Sequence, residues 1–364
     1  MSDRAQALQQ TGCQGVFYIT GGGSKLISEL LTTPGASKTV LEMHVPYAAP
    51  ALAQLIGQTP EQACSEPTAR ALAMCGFQRA LQLGGTQPFG LGCTAGLATD
   101  RAKRGRHRAH VAVQTLSRSL DLRFDFRATR KQEEAALLEG LWEALSRALN
   151  QPFANRAPDV TTYTSTQAPK SWQALLLGTS QAVQVTQLRR AQTPKLLLPG
   201  SFNPLHAGHA AMLDHAEQVL STPGAYELAI ANVDKPIADY STVRQRLKAF
   251  RSRKVTAPLW LTTLPTFVEK AHAFPRTTFA VGADTVIRVA EPKYYGSIHG
   301  RNEALKTFAS LESSFLVFGR SQHGRFIGLD DLKLPKALRA LCRGVSERDF
   351  RQDVSSTALR NNRA

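Results

Sequence analysis

The sequence predicts an α/β protein, and three observations lead to this fold class. Apolar runs of strand length alternate with stretches of helical periodicity along most of the chain. Gly-rich turns follow several of these runs, as they do where a buried strand ends. In the C-terminal part, strand-like runs lie at 228–233, 259–263, 278–281 and 315–318, with helical stretches between them. This alternation predicts a parallel sheet with right-handed crossovers, and hence a Rossmann-like doubly wound domain.

The length of 364 residues is enough for about two domains, each with its own core. We predict a separate α/β domain over residues 1–150, a linker over 151–192 and the Rossmann-like domain over 193–364. The linker prediction depends on composition, because much of that stretch is rich in Thr, Ser, Ala, Gln and Pro.

Composition and charge limit the partners. The formal net charge of +16 predicts an anionic partner. The densest basic run, 101–110, has no interleaved aromatic residues and no RNA-binding signature, which disfavours nucleic acid. Five scattered cysteines, never in a C-x-x-C pair, indicate free thiols rather than disulfides or a zinc site. No apolar run reaches the ~18 residues of a membrane span and the first residues do not resemble a signal peptide, so we expect a cytoplasmic protein without membrane association.

The first half begins with a strand-like run at 16–19, a turn of three glycines at 21–23 and a helical stretch that stops at Pro34-Gly35. A Gly-rich turn between strand and helix can cradle phosphate. Three consecutive glycines, however, form neither a P-loop nor a spaced dinucleotide fingerprint. The clearest helix of the chain is predicted over 131–150, with leucines and a tryptophan on one face.

The stretch Lys195 to His215 carries the strongest chemical signal. A short apolar run, 196–198, is followed by loop-forming residues and then by apolar residues at helical spacing, so His206 and His209 fall at the loop exit and in the first helical turn. Unsatisfied N–H groups and the helix dipole favour phosphate there, and imidazoles three residues apart share one helical face. The pattern favours phosphoryl or nucleotidyl transfer. An H-x-x-H pair alone would usually be two surface histidines, and at best a metal-binding pair.

The pattern G-S-F-N-P-x-H-x-G-H at 200–209 resembles the signature of the nucleotidylyltransferase superfamily, above all the nicotinate and nicotinamide mononucleotide adenylyltransferases. Three further segments, NVDKP at 232–236, VGADT at 281–285 and VSSTALR at 354–360, are similar to that family. The resemblance implies catalytic roles for His206, His209, Lys235 and Arg360. It implies nucleotide contacts for a second set of residues: Gly200, Ser201, Phe202, Asn203, Gly208, Gly282, Asp284, Ser355, Ser356 and Thr357.

The reaction that the resemblance implies joins ATP to nicotinamide or nicotinate mononucleotide, releases pyrophosphate and uses Mg²⁺ with ATP as the substrate. From position alone, Lys235 fits a solvated lysine in a turn equally well, and Asp284 fits a helix N-cap. Two other functions stay open. One is a nucleotide-binding or ATP-hydrolysing regulatory protein that makes no dinucleotide, and the other is a nucleotidylyltransferase that uses another phosphate acceptor.

The first half resembles the CinA-type nicotinamide nucleotide amidase domain. The similar segments are ITGGGSKLISELLTTPGAS at 19–37, Val45-Pro46-Tyr47, and the Gly-bearing turn at 93–96. The family's nucleophilic serine falls on Thr20 and its lysine on Leu52, and leucine cannot activate a hydroxyl nucleophile. We therefore expect a CinA-like domain without amidase activity, with nucleotide binding or homo-oligomer formation as alternative roles.

Overall fold

The computed structural model describes residues 3–100, 105–157, 159–185, 193–233, 235–322 and 325–352. It confirms the α/β class and divides into two compact units. The first unit comprises Met1–Gln173 together with Asp234–Arg244, and the second comprises Ala174–Val233 together with Gln245–Ala364. Within the described ranges, none of the helices has the length and apolar composition needed to cross a bilayer.

The first unit is built on a six-stranded sheet in the order β2-β1-β3-β4-β5-β6, in which β1 runs parallel to β2 and β3 and the remaining pairs are antiparallel. Its strands are β1 (Gly15–Thr20), β2 (Val40–His44), β3 (Phe89–Gly96), β4 (His107–Thr115), β5 (Arg118–Phe126) and β6 (Val160–Gln167). Its helices are α1 (Asp3–Gln10), α2 (Ser24–Thr32), α3 (Ala49–Ile56), α4 (Glu66–Gln82) and α5 (Arg130–Ala148).

Helix packing in the first unit follows from the residue types at the contacts. Helix α5 places Leu141 and Trp142, both 0% exposed, in the main core against the sheet. Helix α4 lies close against β3, because β3 presents glycine there. A Cβ on Gly90 would stand 2.1 Å from the carbonyl oxygen of Ala73, and no side chain fits in that space.

The second unit contains a seven-stranded sheet in the order β15-β12-β11-β8-β9-β10-β7, parallel except for β7. Its strands are β7 (Ala182–Gln184), β8 (Leu196–Gly200), β9 (Gly224–Ala229), β10 (Leu259–Thr262), β11 (Thr278–Gly282), β12 (Ser314–Phe318) and β15 (Cys342–Val345), with a separate hairpin of β13 (Arg320–Gln322) and β14 (Arg325–Ile327). Its helices are α7 (Ala207–Leu220), α9 (Phe267–Ala273), α10 (Ala283–Ala290), α11 (Ile298–Ser310) and α12 (Lys336–Arg339). Two helices cross the division between the units, α6 (Lys170–Leu176) and α8 (Tyr240–Ser252).

The chain reverses direction across this sheet between β8 and β11. From β8 it continues to β9 and β10 on one side, and it then returns to β11, β12 and β15 on the other side. In doubly wound sheets, ligands bind beyond the carboxyl ends of the strands at such a switch point. The fold therefore directs attention to the residues that follow Gly200 and Gly282.

Two strands and helix α6 occur where the sequence predicted a linker. Residues 160–167 form β6, which pairs with β5 in the first sheet, and residues 182–184 form β7, which pairs with β10 in the second. The Thr-rich composition that favoured a linker also suits an exposed edge strand, because Thr is β-branched and polar. Residues 186–192 lie outside the described part of the chain.

Candidate active site

The switch point of the second unit is formed by the strand, loop and helix that the sequence predicted at 195–215. Leu196, Leu197 and Leu198 of β8 are buried, and α7 begins directly after His206. Leu213 and Ala216 are the apolar residues of α7 that pack inward. This packing holds the amino end of α7, with its unsatisfied N–H groups, at the carboxyl end of β8.

The two histidines of the signature contact each other. The backbone N–H of His206 donates to Nδ1 of His209 over 3.2 Å, and the two rings stack with centroids 3.7 Å apart. Gly208 makes this arrangement possible, since a Cβ at that position would come within 3.0 Å of Nδ1 of His206. The predicted grouping of these three residues at one helix end is thus present.

Burial keeps both imidazoles neutral. It lowers the pKa of His209 to about 3, and the imidazole of His206, whenever it is protonated, and the Arg253 guanidinium act in the same direction. The pKa of His206 is also lowered, first by burial and then by Arg253. Because Nδ1 of His209 accepts a hydrogen bond, the proton of the neutral ring is on Nε2, which is therefore a donor. Sequence reasoning did not identify Arg253, which follows α8 in an ordinary run of basic residues.

One atom at this helix end lacks a partner. His206 is only 8% exposed, and its Nδ1 atom is buried. Among the described residues, this buried atom makes no hydrogen bond. Buried polar atoms in folded proteins are nearly always paired, and an exception calls for a functional or solvent partner. The neutral ring of His209 offers its Nε2–H as a donor, and Nδ1 of His206 has no partner among the described residues. Together these two nitrogens suit the binding of a phosphoryl group.

Phe202, for which the resemblance implies a nucleotide contact, has a buried side chain. It is 2% exposed and packs edge-on against Tyr226 and Phe250, at centroid distances of 5.5 and 5.1 Å. A Cβ on Gly200 would stand 2.9 Å from its ring. Phe202 therefore holds the loop to the core, whereas its neighbours Ser201 and Asn203 are exposed or partly exposed.

The opposite side of the switch point is formed by the start of α10. Gly282 ends β11, and a Cβ placed on it would meet no atom of the described residues within 4 Å. Asp284 lies in the first turn of α10 and forms an ion pair with Arg320 of β13. The sequence indicated Asp284 but not Arg320. The signal in the sequence that could have indicated Arg320 was its position shortly after the strand-like run that forms β12.

The remaining predicted residues are only partly covered. Lys235 is exposed and belongs to the segment that groups with the first unit. Ser355, Ser356, Thr357 and Arg360 lie outside the described residues. Gln352, the last described residue, has its Cβ 4.0 Å from the position that a Cβ of Gly208 would take. The chain therefore reaches the start of α7 two residues before the VSSTALR segment begins.

The first unit has a switch point of its own, between β1 and β3, because β2 and β3 lie on opposite sides of β1. At this switch point, carboxylates of α5 accept hydrogen bonds from the backbone N–H groups. Glu134 accepts from the N–H of Gly23 at 2.8 Å, and Glu133 accepts from the N–H of Ala98 at 2.7 Å. These are the positions that an anionic ligand of the Gly-rich turn would need.

Arg130 completes this network by donating to the carbonyl oxygens of Gly21 at 3.1 Å and Ala98 at 3.4 Å. The positions of the amidase family's catalytic residues are also occupied without catalytic geometry. Thr20 donates its hydroxyl to the carbonyl of Pro46 at 3.1 Å, and Leu52 is buried in a small core cluster. The switch point of the first unit is thus filled by its own side chains.

Parts of the chain are similar to known proteins. Residues 197–362 match the family model described as cytidylyltransferase-like. The chain is similar to a solved structure of nicotinic acid mononucleotide adenylyltransferase from Plasmodium falciparum complexed with NaAD, with 13% identity, 46% of this chain and 82% of that chain covered, and a TM-score of 0.29.

Two further similar structures are CinA-type proteins. A CinA superfamily protein from Klebsiella pneumoniae has 16% identity, covers 41% of this chain and 94% of its own, and gives a TM-score of 0.32. A competence/damage-inducible protein from Agrobacterium tumefaciens has 20% identity, covers 41% and 95%, and gives 0.31. No curated protein sequence matches the chain. Residues 197–362, which include the histidine pair and the switch point, are a cytidylyltransferase-like domain of the nucleotidyltransferase kind.

Proposed function

We propose that the second unit is an adenylyltransferase that joins ATP to nicotinamide or nicotinate mononucleotide. An oxygen of the mononucleotide 5′-phosphate attacks the α-phosphorus of ATP, the bond from that phosphorus to the bridging oxygen breaks, and pyrophosphate leaves with the electron pair. We propose that Mg²⁺ arrives with ATP, bound to its phosphate oxygens as part of the substrate. Such a step needs positioning and charge stabilisation more than acid-base chemistry.

The observation that carries the proposal is the state of the histidine pair. Among the described residues, the buried Nδ1 of His206 has no partner, and the ring of His206 stacks on that of His209, which carries the Nε2–H donor, at a helix N-terminus. In our proposal they hold the transferring phosphoryl group, while the nearby Arg253 guanidinium contributes positive charge. Because His209 is neutral at physiological pH, it acts as a hydrogen-bond donor and not as a cation.

Product analysis tests this function. The full chain is incubated with ATP, Mg²⁺ and either mononucleotide, and the products are separated by chromatography. We expect a dinucleotide and an equal amount of pyrophosphate. Formation of ADP alone would instead support a regulatory ATP-hydrolysing protein. A parallel series with CTP and other phosphorylated acceptors tests a different substrate pair, which the description of the matching family favours as the second candidate.

A further inference from the structure

The Asp284–Arg320 pair occupies the rim of the switch-point crevice. The last residues of β11 and β12, Gly282 and Phe318, are paired in the sheet, and each charged residue follows two positions later. β11 is also the neighbour of β8, so Arg320 lies about two strand spacings, ~10 Å, from the strand that leads to the histidine pair. That distance is within the length of an extended nucleotide.

The pair is easily opened. The side chains of Arg320 and Asp284 are 45% and 54% exposed, so water and salt compete with their attraction. An arginine guanidinium donates two parallel hydrogen bonds to phosphate oxygens. Its interaction with a single exposed carboxylate is no stronger than that. A multiply charged phosphate chain can therefore displace Asp284 from Arg320.

We infer that Arg320 binds the phosphate chain of the nucleoside triphosphate, and that Asp284 holds the guanidinium at the rim until this ligand replaces it. The inference rests on the proposed function and extends it, because it adds a phosphate-binding residue and a ligand-exchange step at the same site. It gives Asp284 and Arg320 opposite effects on anion affinity. Arg320 contributes to binding, whereas Asp284 competes with the ligand.

The hairpin supplies a matched control. Arg325 of β14 pairs with Asp331 at 2.9 Å, so it repeats the same type of ion pair on the other strand of the hairpin. The four single variants Arg320→Gln, Asp284→Asn, Arg325→Gln and Asp331→Asn therefore make the same charge changes within and outside the inferred site.

The experiment measures binding of inorganic pyrophosphate and tripolyphosphate to the full chain by titration calorimetry, without any acceptor. We expect Arg320→Gln to weaken tripolyphosphate binding about tenfold or more and Asp284→Asn to strengthen it several-fold. The two control variants should stay within about twofold of the wild type. Melting curves verify that each variant is folded.

Unchanged binding by Arg320→Gln, weaker binding by Asp284→Asn, or equal effects of the hairpin controls would overturn the inference. Since no turnover is measured, the result is separate from the proposed function. If the chain makes no dinucleotide but shows these opposite shifts, the proposed mononucleotide acceptor is disproved. The role of Arg320 in binding the phosphate chain then stands.

Discussion

The two switch points of this protein share a topology and differ in what fills them. Between β1 and β3, the backbone donors of Gly23 and Ala98 are taken by carboxylates of α5. Between β8 and β11, the described residues give the buried Nδ1 of His206 no partner and place no atom within 4 Å of a Cβ built on Gly282. A sheet topology therefore only offers a place for a ligand. Side chains decide whether that place is used for binding or for stability.

The largest effect is expected from a substitution at the second switch point. His209→Ala removes the Nε2–H donor and the acceptor for the His206 N–H, and we expect kcat for dinucleotide synthesis to fall on the order of 10²-fold, ~3 kcal/mol. ATP binding should persist, because other groups hold the nucleotide. Pyrophosphate release and melting curves with and without ATP measure the two properties.

His272→Ala is the matched control for that variant, since His272 is an exposed histidine on α9. It should retain normal turnover. If a well-folded His209→Ala protein released pyrophosphate at nearly the normal rate, the histidine pair would not be the catalytic element, and the proposed transferase would lose its main support.

The next largest effect is expected when a carboxylate is removed from the first switch point. Glu133 is 0% exposed and accepts from the N–H groups of Ala98 and Ala128 and from His107. Glu133→Ala leaves these donors unpaired, and we expect the free energy of unfolding to fall by about 3 kcal/mol. Glu139→Ala, which removes a partly exposed carboxylate paired with Arg4, should cost less than about 1 kcal/mol.

Urea unfolding followed by circular dichroism measures both variants. Added phosphate should restore part of the stability of Glu133→Ala if the vacated position accepts an anion. Equal losses for the two variants would show that the buried network of α5 does not support the first switch point.

The sequence predicted the second switch point well, because its signal is local. The apolar run, the loop formers and His206 and His209 all lie within about fifteen residues, where strand, turn and helix rules apply directly. The packing of Phe202 could not be predicted in this way, because its ring contacts Tyr226 and Phe250, which are distant in the sequence.

The first switch point could not be predicted in the same way. Its filling depends on Glu134, which accepts from the N–H of Gly23 across 111 residues of sequence, and on Glu133, which accepts from the N–H of Ala98 across 35 residues. Sequence position indicated only that these acids suit the dipole at the start of α5. The Asp284–Arg320 pair, separated by 36 residues, was missed for the same reason.

A smaller effect concerns pH, to which one buried group in each unit responds with opposite sign. Burial raises the pKa of Asp121 to about 6, although Arg70 lowers it and the carboxylates of Glu66 and Asp239 raise it further. A raised folded pKa means that the stability contributed by protonated Asp121 is complete below its unfolded value near 4 and is lost as pH rises through about 6.

Asp121→Asn does not titrate. Its free energy of unfolding relative to wild type should therefore rise by about 1.4 kcal/mol between pH 5 and pH 8. In the second unit, the lowered pKa of His209 has the reverse consequence, because its contribution is complete above pH 6.5 and is lost as pH falls toward 3. Chemical unfolding at several pH values tests both trends. A pH-independent difference for Asp121→Asn would contradict the first.

The smallest expected effect is none at all. We expect no conversion of nicotinamide mononucleotide to nicotinate mononucleotide in the absence of ATP, and no change on Thr20→Ala, because Leu52 supplies no base and the Thr20 hydroxyl is bonded to Pro46. Chromatography of the mononucleotides measures this. Product that disappears in the Thr20→Ala variant would show that the first switch point is an active site after all.

The assignment of residues 234–244 to the first unit has a consequence for anyone who wishes to separate the two units genetically. The hydroxyl of Tyr240 donates to the carbonyl of Leu116 at 2.6 Å, its backbone N–H donates to Ser119, and the residue is 1% exposed. A fragment that begins at Ala174 would carry Tyr240 without these partners, and a fragment that ends at Gln173 would lack Tyr240. A single cut therefore yields two incomplete pieces. We expect each piece to aggregate when expressed alone and to regain solubility when both are produced in the same cell.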